Sequence, residues 1–207
     1  MPTSPIQPGD IFTAPLSNDK VVYGQILYKN CYHCHLYACS FRTVYSIDDQ
    51  PDLLSVTKDE LVIAGRIHDR RFMTGTSDTE FKNGEWKRLG NIEPEYEKLP
   101  QPYFIRSTRK GDCLCDFFGR AIRAATTADK LYYGREDNKD YFWQNTLKHA
   151  YENSQTMDQH ARHTQHLISL SKLIPRDTEA TDTLERTIFK SGSEVWYFHK
   201  SPILAYR

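Results

Sequence analysis

Residues 8–29 read Pro8-Gly9-Asp10-Ile11-Phe12-Thr13-Ala14-Pro15-Leu16-Ser17-Asn18-Asp19-Lys20-Val21-Val22-Tyr23-Gly24-Gln25-Ile26-Leu27-Tyr28-Lys29. Pro8-Gly9-Asp10 is a turn signal, and Ile11 to Leu16 is the apolar run that it opens. Ser17-Asn18-Asp19-Lys20 then separates that run from Val21 to Lys29, which is rich in β-branched and aromatic residues. The pair 11–16 and 21–29 therefore predicts a β-hairpin. Val22, Gly24, Ile26 and Tyr28 fall on one face of the second strand, Val21, Tyr23, Gln25 and Leu27 on the other. Gly24 inside a strand marks a bend, a bulge or the close approach of another group, and Pro15 belongs at an edge or a strand end.

Further strands follow at close turn spacing: His35 to Phe41, Leu61 to Ile67, and Trp86 to Leu89 after the Asn83-Gly84 turn. Tyr103 to Arg106 is a candidate sixth. Such short strands predict a strongly bent antiparallel sheet or small barrel.

The period changes near residues 107–111. Leu114, Phe117, Phe118, Ala121, Ile122 and Ala125 fall at helical spacing behind Asp112, a candidate N-cap. Further helices are expected over Asp140–Tyr151 and Met157–Leu173, the latter stopped before Pro175. Asp182 and Glu185 have capping-box spacing, Gly192 suits the end of that helix, and Glu194 to His199 reads as a strand. The expected fold is α+β: a β-rich domain over 8–106, then a mainly helical half over 107–207 packed on it.

The 207 residues suffice for a buried core without metal or disulfide support. Lys plus Arg and Asp plus Glu both total 27. Nucleic-acid binders usually carry a basic excess, so this balance argues against that class. No apolar run reaches bilayer-spanning length, so no membrane role is expected. Residues 1–7 lack the basic start and apolar core of a signal peptide, and the expected location is the cytoplasm. Five cysteines without such a signal read as reduced thiols.

Gly9-Asp10-Ile11-Phe12, Pro15-Leu16 and Tyr23-Gly24-Gln25-Ile26-Leu27 together resemble the opening of the immunity protein 26 family of bacterial polymorphic toxin systems. Its members also carry a tryptophan segment with a following glycine, matched here by Trp86-Lys87-Arg88-Leu89-Gly90-Asn91. The resemblance covers about 8–106. It implies a non-catalytic, cofactor-free protein that neutralises a cognate toxin encoded nearby by masking it. The motif positions Gly9, Asp10, Phe12, Pro15, Tyr23, Gly24, Gln25, Trp86 and Gly90 have turn and strand chemistry, which makes them scaffold rather than contact residues.

A toxin-facing surface is sought in the acidic segment Asp48, Asp49, Asp52, Asp59 and Glu60. Carboxylates there would mimic phosphates before a basic nuclease cleft; a solvated loop is the competing reading. Asp78 and Glu80 carry a weaker version of the same idea.

Other constellations speak for rival functions. Cys31-Tyr32-His33-Cys34-His35 has the spacing of haem attachment, which takes place outside the cytoplasm. The same residues with Cys39, and Cys113 with Cys115, offer zinc ligands without two spaced pairs of the usual kind. Cys113 and Cys115 otherwise read as small buried residues. His160, His163 and His166 lie three apart, where a solvated helix face is the simpler reading. Exposed Tyr23, Tyr28, Tyr32 and Trp86 would suit a small-barrel module for a peptide or nucleic acid. No nucleophile elbow, phosphate loop or zincin helix is present.

Overall fold

A computed structural model describes residues 6–30, 35–67, 79–101, 103–109, 111–116, 121–133 and 144–173. The hairpin forms β1 (Asp10–Pro15) and β2 (Lys20–Asn30), in register from Ile11↔Gln25 to Pro15↔Val21. Its loop closes where the Leu16 and Ser17 amides donate to the Lys20 carbonyl, at 2.8 and 3.3 Å. Pro15 ends β1, beyond the last residue that pairs with β5 (Lys87–Asn91), so its missing amide costs no ladder bond.

β3 (His35–Ser46) returns along β2 and β4 (Leu61–Ile67) along β3, giving the antiparallel order β4-β3-β2-β1-β5. β3 runs five residues past the predicted Phe41 end, because Val44, Tyr45 and Ser46 still pair with Val22, Val21 and Lys20. Registers shift at Ile11/Phe12, Val22/Gly24, Ile26/Tyr28 and Ser40/Phe41, and each such bulge adds local twist.

The sheet does not close, which corrects the barrel alternative: β4 and β5 stand at opposite edges among the described residues. Helices meet the β3–β4 side instead. α4 (Gln144–Ala150) leads to Tyr151, whose hydroxyl meets the Ser40 hydroxyl at 2.9 Å and donates to the Phe41 carbonyl at 2.5 Å. From α5 (Ser154–Leu173), Thr164 donates at 2.9 Å to the carbonyl of Val62. Val62 is the residue that the β3–β4 register skips. Carbonyls at the bulge are thus answered by side chains of α5 and of the residue after α4, as buried backbone demands.

β2 is central and buried from Val21 to Leu27. On one face Phe12, Ala14, Val22, Ile26, Ala38 and Trp86 pack with Leu147 and Ala150 of α4, and Met157 of α5 joins them. Gln25, which alternates with Ile26, points away from that layer; its amide donates to the Ile92 carbonyl at 2.8 Å. Two short helices sit in the connections: α1 (Leu53–Val56) between β3 and β4, and α2 (Thr79–Lys82) before β5.

Residues 101–133 form a separate antiparallel meander of β6 (Phe104–Thr108), β7 (Gly111–Cys115) and β8 (Ala121–Ala124), followed by α3 (Thr127–Tyr133). Contacts divide the chain into two units, strands β1–β5 with α4 and α5 to Leu170 making the first, and the meander with α3 belonging to the second.

The helix expected from Asp112 is therefore a correction: residues 111–115 form a strand, while α3, α4 and α5 make up most of the described residues beyond 107. The short run carries two periods at once: helical through 114, 117, 118, 121, 122 and 125, and alternating through Cys113 and Cys115. Pairing with β6 decides between them, across a tight connection that returns at Gly111, φ +119°. Asp112 caps no helix. It accepts from the Ser107 hydroxyl at 2.7 Å and pairs with Lys130 at 2.7 Å. The expected strand over Tyr103–Arg106 exists as β6, in this second sheet. The capping-box helix near 182 and the strand 194–199 lie outside the described residues.

Candidate functional site

The motif residues converge on the interior. Gly9, at φ +90°, donates its amide to the Ile26 carbonyl at 2.8 Å and accepts from the Ile92 amide at 2.9 Å. Asp10 is 2% exposed. Its carboxylate takes the Gln7 amide at 2.9 Å, the Asn91 side-chain amide at 2.9 Å and the Arg88 guanidinium at 3.2 Å. Gly24 lies opposite Phe12, where a Cβ would come within 2.5 Å of the Phe12 ring and 2.7 Å of the Cys39 carbonyl. That ring stacks on Trp86 at 4.9 Å, and Phe81 meets it edge-on at 5.2 Å. Gly90 gives the same clearance to Leu53 of α1, whose Cδ1 would stand 2.9 Å from an added Cβ.

Tyr23 is buried as well, its hydroxyl donating to the Asp49 carbonyl at 3.4 Å. Burial, then the neighbouring Tyr45 and Asp49, pushes that phenol up. Tyr23 and Trp86 thus supply no exposed stacking platform, which corrects the aromatic-module expectation; Tyr28 is half-buried and Tyr32 lies outside the described residues.

The acidic residues divide into two sets. Asp59 accepts the Thr43 amide at 2.7 Å, and Glu60 pairs with Arg42 at 2.7 Å. Arg42 also binds Asp158 of α5, and these carboxylates, Asp158 first, raise the guanidinium's already high pKa. Those two acids tie β3 to its neighbours. Asp48, Asp49 and Asp52 are exposed. Asp49 accepts the Ser46 amide at 2.7 Å. Asp52 caps α1, accepting from the Ser55 hydroxyl at 2.8 Å and the Ser55 amide at 3.0 Å, and the first of these bonds does most to lower its pKa. Each keeps acceptor capacity outward.

Sequence reasoning missed the apolar side chains beside them. Ile47 is 49% and Leu54 52% exposed, and Leu89 of β5 is 46% exposed. The only available signal was their position, since Ile47 precedes Asp48-Asp49 and Leu54 follows Asp52 by two. Leu89 is the residue skipped where the β1–β5 register shifts from Gly90 to Arg88.

Candidate metal residues are dispersed. Cys39 is buried in the first sheet, where desolvation pushes its thiol up to about 12. Cys113 and Cys115 bring their sulfurs to 3.6 Å. Either thiol can donate in that contact, which lowers the Cys113 pKa and, with burial, raises that of Cys115. His160 stands edge-on to His149 of α4 at 6.3 Å, while His163 and His166 face solvent. Burial, then His149 and His163, lowers the His160 pKa. Among the described residues no three His, Cys, Asp or Glu side chains gather as a metal centre. Cys31 to Cys34 and Asp78 lie outside them; Glu80 stands on α2.

No helix among the described residues is long and apolar enough to cross a membrane. Among curated proteins and solved structures, none matches the chain. The family model described as immunity protein 26 matches residues 7–114, from the turn before β1 to the last residue but one of β7. That span is just over half of the 207 residues and contains every motif residue placed above. The chain belongs to the immunity protein 26 family.

Proposed function

We propose that the chain is a non-catalytic immunity protein that binds a cognate bacterial toxin domain, encoded beside it, and masks that toxin's active site in the cytoplasm. One observation carries this reading: the family match spans a sheet whose motif residues, the half-buried Pro15 and Gly90 apart, are buried, leaving recognition to other positions. Inhibition of this kind needs shape and charge complementarity over a standard interface and no bond chemistry.

The contact surface we assign is the turn from Ile47 through α1. It presents Asp48, Asp49 and Asp52 with no basic residue between Arg42 and Lys58, flanked by exposed Ile47 and Leu54. Exposed carboxylates beside apolar anchors fit a toxin with a basic cleft, such as a nuclease. Asp59 and Glu60 act in this reading by holding the loop's far end.

The experiment is co-expression with the toxin domain of the neighbouring gene. The wild-type chain should co-purify with that domain and restore growth. The triple change Asp48→Asn, Asp49→Asn, Asp52→Asn should lower affinity at least tenfold, about 1.4 kcal/mol, while the fold stays intact by circular dichroism. A domain that kills equally with and without the chain overturns the immunity role. Full protection and binding by the triple variant overturns only the surface.

A further inference from the structure

Strand β7 sets two thiols side by side. Cys113 and Cys115 are two residues apart, so their side chains leave the same face of the strand, and their sulfurs lie 3.6 Å apart. Both are buried, with Ala121 completing the cluster and Phe104 packed against it. The family match ends at residue 114, so Cys115 falls beyond it. Neither thiol enters the toxin-masking reading.

Two distances decide what such a pair can do. A disulfide needs its sulfurs at about 2.05 Å, so at 3.6 Å these are two free thiols. A metal–thiolate bond is about 2.3 Å long, so one ion can bridge sulfurs up to roughly 4.6 Å apart. At 3.6 Å the sulfurs stand about an ångström closer than that linear limit, an opening that rotation of the two Cys side chains can supply while the strand backbone stays in place. Zinc wants four ligands, and among the described residues no further His, Cys, Asp or Glu joins the two sulfurs as a metal-holding group. A soft ion of low coordination number is satisfied by two thiolates, and Cu(I) is that ion. Arg106, the register partner of Cys113 on β6, favours the thiolate form of both sulfurs, against the opposing charges of Asp112 and Asp116.

We propose that Cys113 and Cys115 form a two-thiolate site for one Cu(I) ion. On binding, each thiol gives its proton to solvent and two Cu–S bonds form. No electron is transferred, and the complex carries one negative charge. Phe104 and Ala121 shield it from water.

The test is titration of the reduced, purified full chain with Cu(I) against a chromophoric Cu(I) chelator. The chain should withhold one equivalent. The changes Cys113→Ser and Cys115→Ser should each weaken retention at least a hundredfold, whereas Cys39→Ser and the pair Cys31→Ser, Cys34→Ser should not alter it. Copper-edge X-ray absorption of the loaded wild type provides a reading independent of variant folding and should show sulfur as the first shell. Copper that follows Cys31 and Cys34, a first shell of nitrogen, or no retention above the Cys113→Ser, Cys115→Ser double variant overturns the site.

Discussion

At the scale of single residues, one steric chain links the family motifs. Gly24 has no side chain, so the Phe12 ring can lie across it, and the ring then stacks on Trp86. The tryptophan segment, some sixty residues later in the chain, is thereby tied to the opening hairpin. An alanine at Gly24 would push against a ring confined by Phe81 and Trp86, and against the Cys39 carbonyl. Neither can yield cheaply in a close-packed core. Gly24→Ala is therefore expected to destabilise the chain by about 2 kcal/mol or more, read as a lower urea midpoint. An unchanged midpoint would contradict this packing.

Among elements, α3 shows how a helix start becomes a pH-dependent contact. Thr126 and Asp129 cap it reciprocally: the Asp129 carboxylate accepts the Thr126 amide and hydroxyl, both at 2.7 Å, and the Thr126 hydroxyl accepts the Asp129 amide at 3.2 Å. Arg123 of β8 donates to the same carboxylate, its second nitrogen at 2.9 Å. Burial raises the Asp129 pKa, but the bonds from Arg123 and Thr126 outweigh it and the net shift is downward. A depressed folded value adds stability above the unfolded carboxyl pKa, about 3.9, and that stability is lost as pH falls through the folded value. Asp129→Asn should thus cost about 1.5–3 kcal/mol at pH 7. Its deficit relative to wild type should shrink below about pH 4 in urea titrations, and a deficit constant with pH would refute the assignment.

For the whole molecule, the balance of 27 basic and 27 acidic residues conceals local asymmetry. The Ile47–α1 turn is acidic, and if it meets a basic toxin as proposed, the long-range attraction acts mainly on the encounter rate. Raising salt from 0.05 to 0.5 M, a range that shortens the screening length to a few ångströms, should slow association about tenfold or more and change dissociation little. Stopped-flow mixing of chain and toxin domain measures both rates. An association rate indifferent to salt would shift the contact from the carboxylates to the apolar side chains.

The sequence by itself determined the opening hairpin, the strands that follow it in the first sheet and the family. Alternation and turn residues act locally, so Ile11–Leu16 and Val21–Lys29 announce strands without help from the rest. The α5 helix was legible for the same reason, through its long period and the proline beyond it. Only tertiary structure decided the stretch after Asp112, where two periods coexist and pairing with β6 selects the strand. It alone revealed that Asp59 and Glu60 are held by Thr43 and Arg42 of β3, partners that sequence distance conceals. It also brought Tyr151 and Thr164 from more than a hundred residues away to the carbonyls at the β3–β4 bulge. Contacts at such separation depend on the packed chain as a whole, which no local pattern encodes.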